Sequence, residues 1–201
     1  MVFVKVCGLS SIGDVETAVA AGADAVGFVL SRTSVRAVEP ALVKELAGSV
    51  PAEVDSVLVV HDVSAEEGAR VALEVGVDVL QLHGRYSKAD FEAAAALGVR
   101  LWRATSLKDE PDLRVGAFGE EVLLLDSPKA GSGQRWDLSA LTAARPTGRW
   151  LLAGGLAPGN VRDAIAQAQP WGVDVSSGVE SSPGVKDHDL IRAFLTAARA
   201  E

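Results

Sequence analysis

The 201-residue sequence holds one cysteine, one methionine and one tyrosine, and aromatic residues make up only 5% of it. A single cysteine cannot form an intrachain disulfide, and that scarcity fits a reducing cytoplasm better than a cross-linked secreted scaffold. Positive charge is also in short supply. Nineteen Lys and Arg stand against 27 Asp and Glu, a formal net charge of −8. No basic run offers the contacts that a nucleic-acid backbone demands, so nucleic acid is not an expected partner. A small phosphorylated ligand stays compatible, because backbone amides and one or two local cations suffice to hold it. No apolar run reaches the length of a membrane span, and Met1 leads into a strand-like stretch without a basic leader. The expectation is a cytoplasmic protein that touches no membrane. Three catalytic signatures are missing as well. The three histidines have no metal-site spacing, no G-x-G-x-x-G follows a strand, and no serine sits in a nucleophile elbow. Neither a metal nor a cofactor is expected.

What is present is a regular alternation. Apolar residues make up 48% of the chain, enough for a real core in one domain spanning 1–201. Short β-like runs at 3–7, 25–30, 54–60, 79–82, 99–103, 122–126, 150–153 and 173–175 alternate with amphipathic segments. Ser64 and Ser87 open helices in capping-box patterns with Glu67 and Asp90, and Pro40 starts another. Residues 106–119 form the weakest helical pattern, 127–135 a loop, 137–144 a short helix and 188–200 the last helix. This order predicts an α/β fold with a parallel sheet, a single short (β/α)8 TIM barrel. The chain is shorter than the usual barrel of about 250 residues, yet an open doubly wound sheet seldom fits eight strands in so little chain.

In such a barrel the chemistry lies at the C-terminal strand ends. Those ends are Cys7, Leu30, His61, His83, Arg103, Asp126, Gly154 and Ser176. Two successive ends open into small turns, Gly154-Gly155 and Ser176-Ser177-Gly178, where backbone N–H groups can converge on an anion. Each alone reads equally as a tight turn; two at βα spacing favour a phosphate site. Cys7, followed by Gly8, reads either as a small buried hydrophobe or as an accessible thiol. Asp126 reads either as a loop cap or as a carboxylic acid with a raised pKa. Together across a barrel mouth they make an acid–base pair that needs no metal.

The residues resemble one known family along nearly the whole chain. Lys5-Val6-Cys7-Gly8-Leu9, Ser34-Val35-Arg36, Gln81-Leu82-His83-Gly84, Leu125-Asp126, Gly131-Ser132-Gly133, Leu152-Ala153-Gly154-Gly155-Leu156 and Asp174-Val175-Ser176-Ser177-Gly178-Val179-Glu180 occur in the order and spacing of phosphoribosylanthranilate isomerases. The resemblance implies an Amadori rearrangement of N-(5-phosphoribosyl)anthranilate in tryptophan biosynthesis, by a monomer acting on a small phosphorylated substrate. It makes Asp126 the general acid and Cys7 the general base. Arg36 would hold the anthranilate carboxylate, and the turns at Gly154-Gly155 and Ser177-Gly178 the ribose phosphate. Asp174 either contacts a substrate hydroxyl or orients the strand-8 loop. His83 reads mainly as structural. The sequence departs from the family at Val35, where proline is common before the arginine, and on strand 3, where Leu58-Val59-Val60-His61-Asp62 stands for the usual G-V-F-V-N and lacks its glycine and its aromatic. Trp136 replaces a phenylalanine and Arg85 a glutamate.

Overall fold

The computed structural model describes residues 1–109, 111–126, 141 and 145–200. Eight parallel strands close on themselves in sequence order. They are β1 (Phe3–Cys7), β2 (Ala25–Leu30), β3 (Asp55–Val60), β4 (Val79–His83), β5 (Arg100–Ser106), β6 (Val122–Asp126), β7 (Trp150–Leu152) and β8 (Gly172–Val175). Pairing of β8 with β1, which sets Lys5 opposite Asp174, seals the ring. The expected TIM barrel is the observed fold.

Parallel strands covered by helices are buried on both faces, so each strand must serve two cores. Alternation along the strand divides the labour. Val4, Val6, Phe28, Leu58, Leu80, Leu123 and Val173 face outward and pack under the helices. Cys7, Val57, Val59, Trp102, Ala104, Leu124 and Leu151 face inward and fill the barrel. Phe3 closes the lower end, stacked on Trp171 at 4.4 Å between ring centroids and edge-on to Trp102 at 6.1 Å. The active end is therefore the opposite one, where the inward positions turn polar.

The surrounding helices are α1 (Ile12–Ala20), α2 (Pro40–Ala47), α3 (Ala65–Val75), α4 (Lys88–Ala95), α5 (Val161–Ala168) and α6 (His188–Arg199). Ser64 Oγ accepts from the Glu67 N–H, and the two-way box forms at Ser87–Asp90 and also at Ser11–Asp14. A short hairpin, β9 (Glu180–Ser182) with β10 (Val185–Lys186), follows β8.

Two expectations need correction. Strand 5 runs on to Ser106, so Arg103 is not its C-terminal residue. Its side chain points outward, pairs with Glu120 at 2.8 Å and lies 4.5 Å from the Phe118 ring centre. Within 106–119, the only helix among the described residues is a 3-10 turn, Leu107–Asp109, and there is no α-helix. Pro111 removes a backbone donor there, and Gly116 and Gly119 adopt positive φ of 86° and 85°, both incompatible with a continuous helix. The predicted loop at 127–135 and helix at 137–144 lie outside the described residues, apart from Leu141, which is buried.

The last helix closes the ring from outside through Ile191, Phe194 and Leu195, all fully or almost fully buried. Truncating Phe194 to alanine is expected to cost about 3–5 kcal/mol of stability, as cavities at large buried side chains do. A urea midpoint within experimental error of wild type would show that α6 does not seal the barrel.

Candidate active site

The period of two that builds the inner core also selects which polar groups reach the mouth. Lys5 and Cys7 on β1, Gln81 and His83 on β4, Asp126 on β6 and Asp174 on β8 all occupy inward positions. Cys7 and Asp126 end their strands and line the same cavity of about 340 Å³, together with Arg36, His61, Gln81, His83 and Asp174. Both are nearly buried, at 7% and 8% exposure.

Beneath the thiol lies a charge the sequence reading did not interpret. Lys5 is fully buried, and its Nζ donates to Asp174 Oδ1 at 2.8 Å. Burial disfavours the ammonium, but Asp174 and Cys7 together more than compensate and hold Lys5 above the ordinary lysine value. For Cys7 the balance goes the other way. Burial pushes the thiol up, although Lys5 and Lys186 pull against it. The cationic neighbours required for a thiolate are thus present, and desolvation still outweighs them.

Arg36 comes from the loop after β2, and it is no solvated loop arginine. Its Nε and Nη2 donate to Glu180 Oε1 and Oε2 at 2.6 and 2.9 Å, a bidentate fork from the hairpin after β8. Glu180 also accepts from Lys186 Nζ at 2.8 Å and from the Gly184 N–H at 3.2 Å. Burial alone would raise its pKa, but the bonds from Arg36 and Lys186 bring it down to about 2. A planar cation held on one edge is oriented on the other, and among the described residues Arg36 Nη1 takes no hydrogen-bond partner.

The two small turns line one hollow. A hollow of about 70 Å³ is walled by Gly154, Gly155, Leu156, Ser176 and Ser177, with Arg36, Asp126 and Asp174 at its inner side. Gly154 and Gly155 adopt φ of 85° and 68°, a conformation side chains resist. Asn160 braces that turn, donating to the Gly155 carbonyl and accepting from the Ala157 N–H, both at 2.8 Å. Gly178 serves differently: a methyl group there would overlap the Leu156 carbonyl. It lets the β8 turn close against the β7 turn and lines an outer cavity, not the inner hollow.

His83 stands beside Asp126 at the mouth. Its Nε2 lies 3.9 Å from Asp126 Oδ2, an ion-pair distance too long for a hydrogen bond. Burial, with His61 and Lys5 nearby, pushes its pKa down to about 4. His61 Nδ1 meets the His83 carbonyl at 2.9 Å, and both rings also line a second cavity of about 600 Å³ with Arg85, Tyr86 and Lys108. Among the departures from the family, Leu58 faces the outer core and cannot reach the mouth, whereas Val35 is exposed beside the outer cavity. Gly131-Ser132-Gly133 and Trp136 lie outside the described residues. Lys5, Glu180 and Lys186 were legible only as letters in motifs. The available signal was a charged residue at an inward strand position two before Cys7.

Residues 4–197 match the family model described as N-(5′-phosphoribosyl)anthranilate isomerase. The chain belongs to the N-(5′-phosphoribosyl)anthranilate isomerase family. Curated isomerases of this name include one from Paracoccus denitrificans, 42% identical over 99% of this chain and 98% of its own length. Another, from Haloferax volcanii, is 38% identical over 99% and 94%. Among solved structures, TrpF from Jonesia denitrificans is 54% identical with a TM-score of 0.93, covering 99% of this chain and 97% of that one. A phosphoribosylanthranilate isomerase crystallised with reduced 1-(o-carboxyphenylamino)-1-deoxyribulose 5-phosphate is 34% identical with a TM-score of 0.87, covering 99% of each. This chain is accordingly an isomerase of tryptophan biosynthesis.

The depressed pKa of His83 gives a direct check. In the unfolded chain the ring takes its proton near the ordinary value of 6.5, and in the folded barrel only near 4. Between those values the unfolded state binds more protons, so this group's contribution to stability falls as pH drops through that window. His83 ring resonances in an NMR titration should stay in the neutral form down to about pH 5. A midpoint above 6 would contradict the burial argument.

Proposed function

We propose that the isomerisation proceeds by acid–base catalysis between Asp126 and Cys7, without a cofactor. Asp126 protonates the ribose ring oxygen, and the anilino nitrogen drives ring opening to a Schiff base. Cys7, as thiolate, removes the proton from C2′, and the resulting enolamine tautomerises to the ketone. The observation that carries this reading is the placement of both groups on one cavity, reached from different strands, with Arg36 beside them. The cavity has an apolar wall in Val29, Val59 and Leu124 against which an aromatic ring can rest.

The anchors follow from charge. The free edge of Arg36 takes the anthranilate carboxylate, and the turns at Gly154-Gly155 and Ser176-Ser177, spaced by Gly178, take the ribose phosphate. Arg36 borders both spaces, so one cation serves both anions. Asp174 borders both too, and its second oxygen is the acceptor for a ribose hydroxyl. The chain acts as a single-domain monomer in the cytoplasm. Its five large exposed hydrophobic side chains among the described residues, Met1, Val35, Leu73, Leu97 and Val185, belong to separate stretches of sequence. No helix among the described residues is long and apolar enough to cross a membrane.

Turnover is followed by the loss of substrate fluorescence. Cys7→Ala and Asp126→Asn are each expected to lower kcat by about 10²–10⁴-fold, the usual worth of a positioned proton-transfer group. Turnover of Cys7→Ala within a few-fold of wild type would remove the thiolate from the mechanism.

A further inference from the structure

We infer that Lys5 is a positioning residue for the reaction: its ammonium, fixed by Asp174, faces the Cys7 sulfur and balances the thiolate as it forms. The inference rests on the reading of Cys7 as base and names the group that makes such a base usable.

Three observations converge. Lys5 and Cys7 stand two apart on β1 and therefore share its inward face. Opposite them in register on β2 is Gly27, paired with Cys7. A Cβ at Gly27 would lie 3.0 Å from Cys7 Sγ and 3.2 Å from Lys5 Cε, so the sulfur and the end of the lysine chain share the space that glycine leaves open. On the other side Asp174, in register with Lys5 on β8, fixes Nζ at 2.8 Å. A wholly buried ammonium is a costly way to fill a barrel, and a buried ion pair is seldom more stable than apolar residues of the same volume. Packing alone does not account for it.

The charged groups near enough to act on the thiol are Lys5 on its own strand, Asp174 on β8, Lys186 on β10 and Arg36 from the β2 loop. Lys186 and Arg36 are both tied to Glu180. Of the three cations Lys5 acts most strongly on the thiol, with Lys186 behind it, and Asp174 opposes them. In the reaction Lys5 keeps its proton throughout. The thiolate takes the carbon-bound proton and becomes a thiol, and the lysine supplies charge alone.

Because the chain has one cysteine, alkylation by iodoacetamide followed by intact mass reports Cys7 alone. The reagent reacts with the thiolate, so its rate tracks the thiolate fraction. Wild type, Lys5→Gln and Lys5→Arg are compared from about pH 6 to about pH 10. Glutamine retains a donor for Asp174 without charge; arginine retains the charge. Lys5→Gln is expected to slow alkylation near neutral pH by at least about tenfold, with Lys5→Arg within a few-fold of wild type. Equal rates for Lys5→Gln and wild type, or equal slowing in both variants, would overturn the inference. Should Lys5→Gln fail to fold by circular dichroism, the ¹⁵Nζ resonance of Lys5 in wild type decides. It must shift at the pH where alkylation has its midpoint, and an unchanged resonance refutes the pairing. No substrate enters either readout, so an error in the role of Cys7 as base would show in turnover and not here.

Discussion

A positive charge that cannot reach water sets the terms for this molecule. Lys5 is fully buried inside the barrel and tied to Asp174 across the β1–β8 seam. Removing one partner from such a pair would leave an uncompensated charge in a low-dielectric interior, at a cost of about 3–5 kcal/mol. The seam that closes the barrel and the electrostatics beneath the thiol are therefore one feature. Below this layer the interior is apolar and plugged by Phe3, Trp102 and Trp171; above it the inward positions turn polar and face the cavity.

From that layer upward the site is organised by anion binding at its edges and proton transfer at its centre. Backbone turns of β7 and β8 make the small hollow, and Asn160 and Gly178 hold those turns at their spacing. Glu180 grips Arg36 on one edge and Lys186 on another, linking the β2 loop to the segment after β8. An arginine free to swing would lose side-chain entropy on meeting a carboxylate; one already held in a fork loses less. His83, neutral over the physiological range, borders Asp126 without adding a charge to it.

The barrel was legible because an apolar run recurs eight times, and amphipathic helical segments follow most of those runs. The strand ends picked out Cys7 and Asp126, and the alternation seen in the barrel turns both inward. Arg103 was misplaced because apolar periodicity locates a strand but not its last residue, and the polar Thr105 and Ser106 still pair with β6. The helix expected over 106–119 gave way to Pro111 and two positive-φ glycines, whose local cost outweighs a weak apolar pattern. The Lys5–Asp174 and Arg36–Glu180 pairs were hidden because their partners are 169 and 144 residues apart. No local pattern relates such residues; only closure of the ring brings them together.

The central claim is a division of roles across one cavity, with the base on the β1 side and the acid on the β6 side. A crystal structure of this chain with reduced 1-(o-carboxyphenylamino)-1-deoxyribulose 5-phosphate measures it directly. The account predicts phosphate in the hollow between Gly155 and Ser177 and the aromatic carboxylate on Arg36. The former ring oxygen should face Asp126, and C2′ should face Cys7 Sγ. A ligand lying the other way round, with C2′ toward Asp126 and the thiol out of reach, would contradict it.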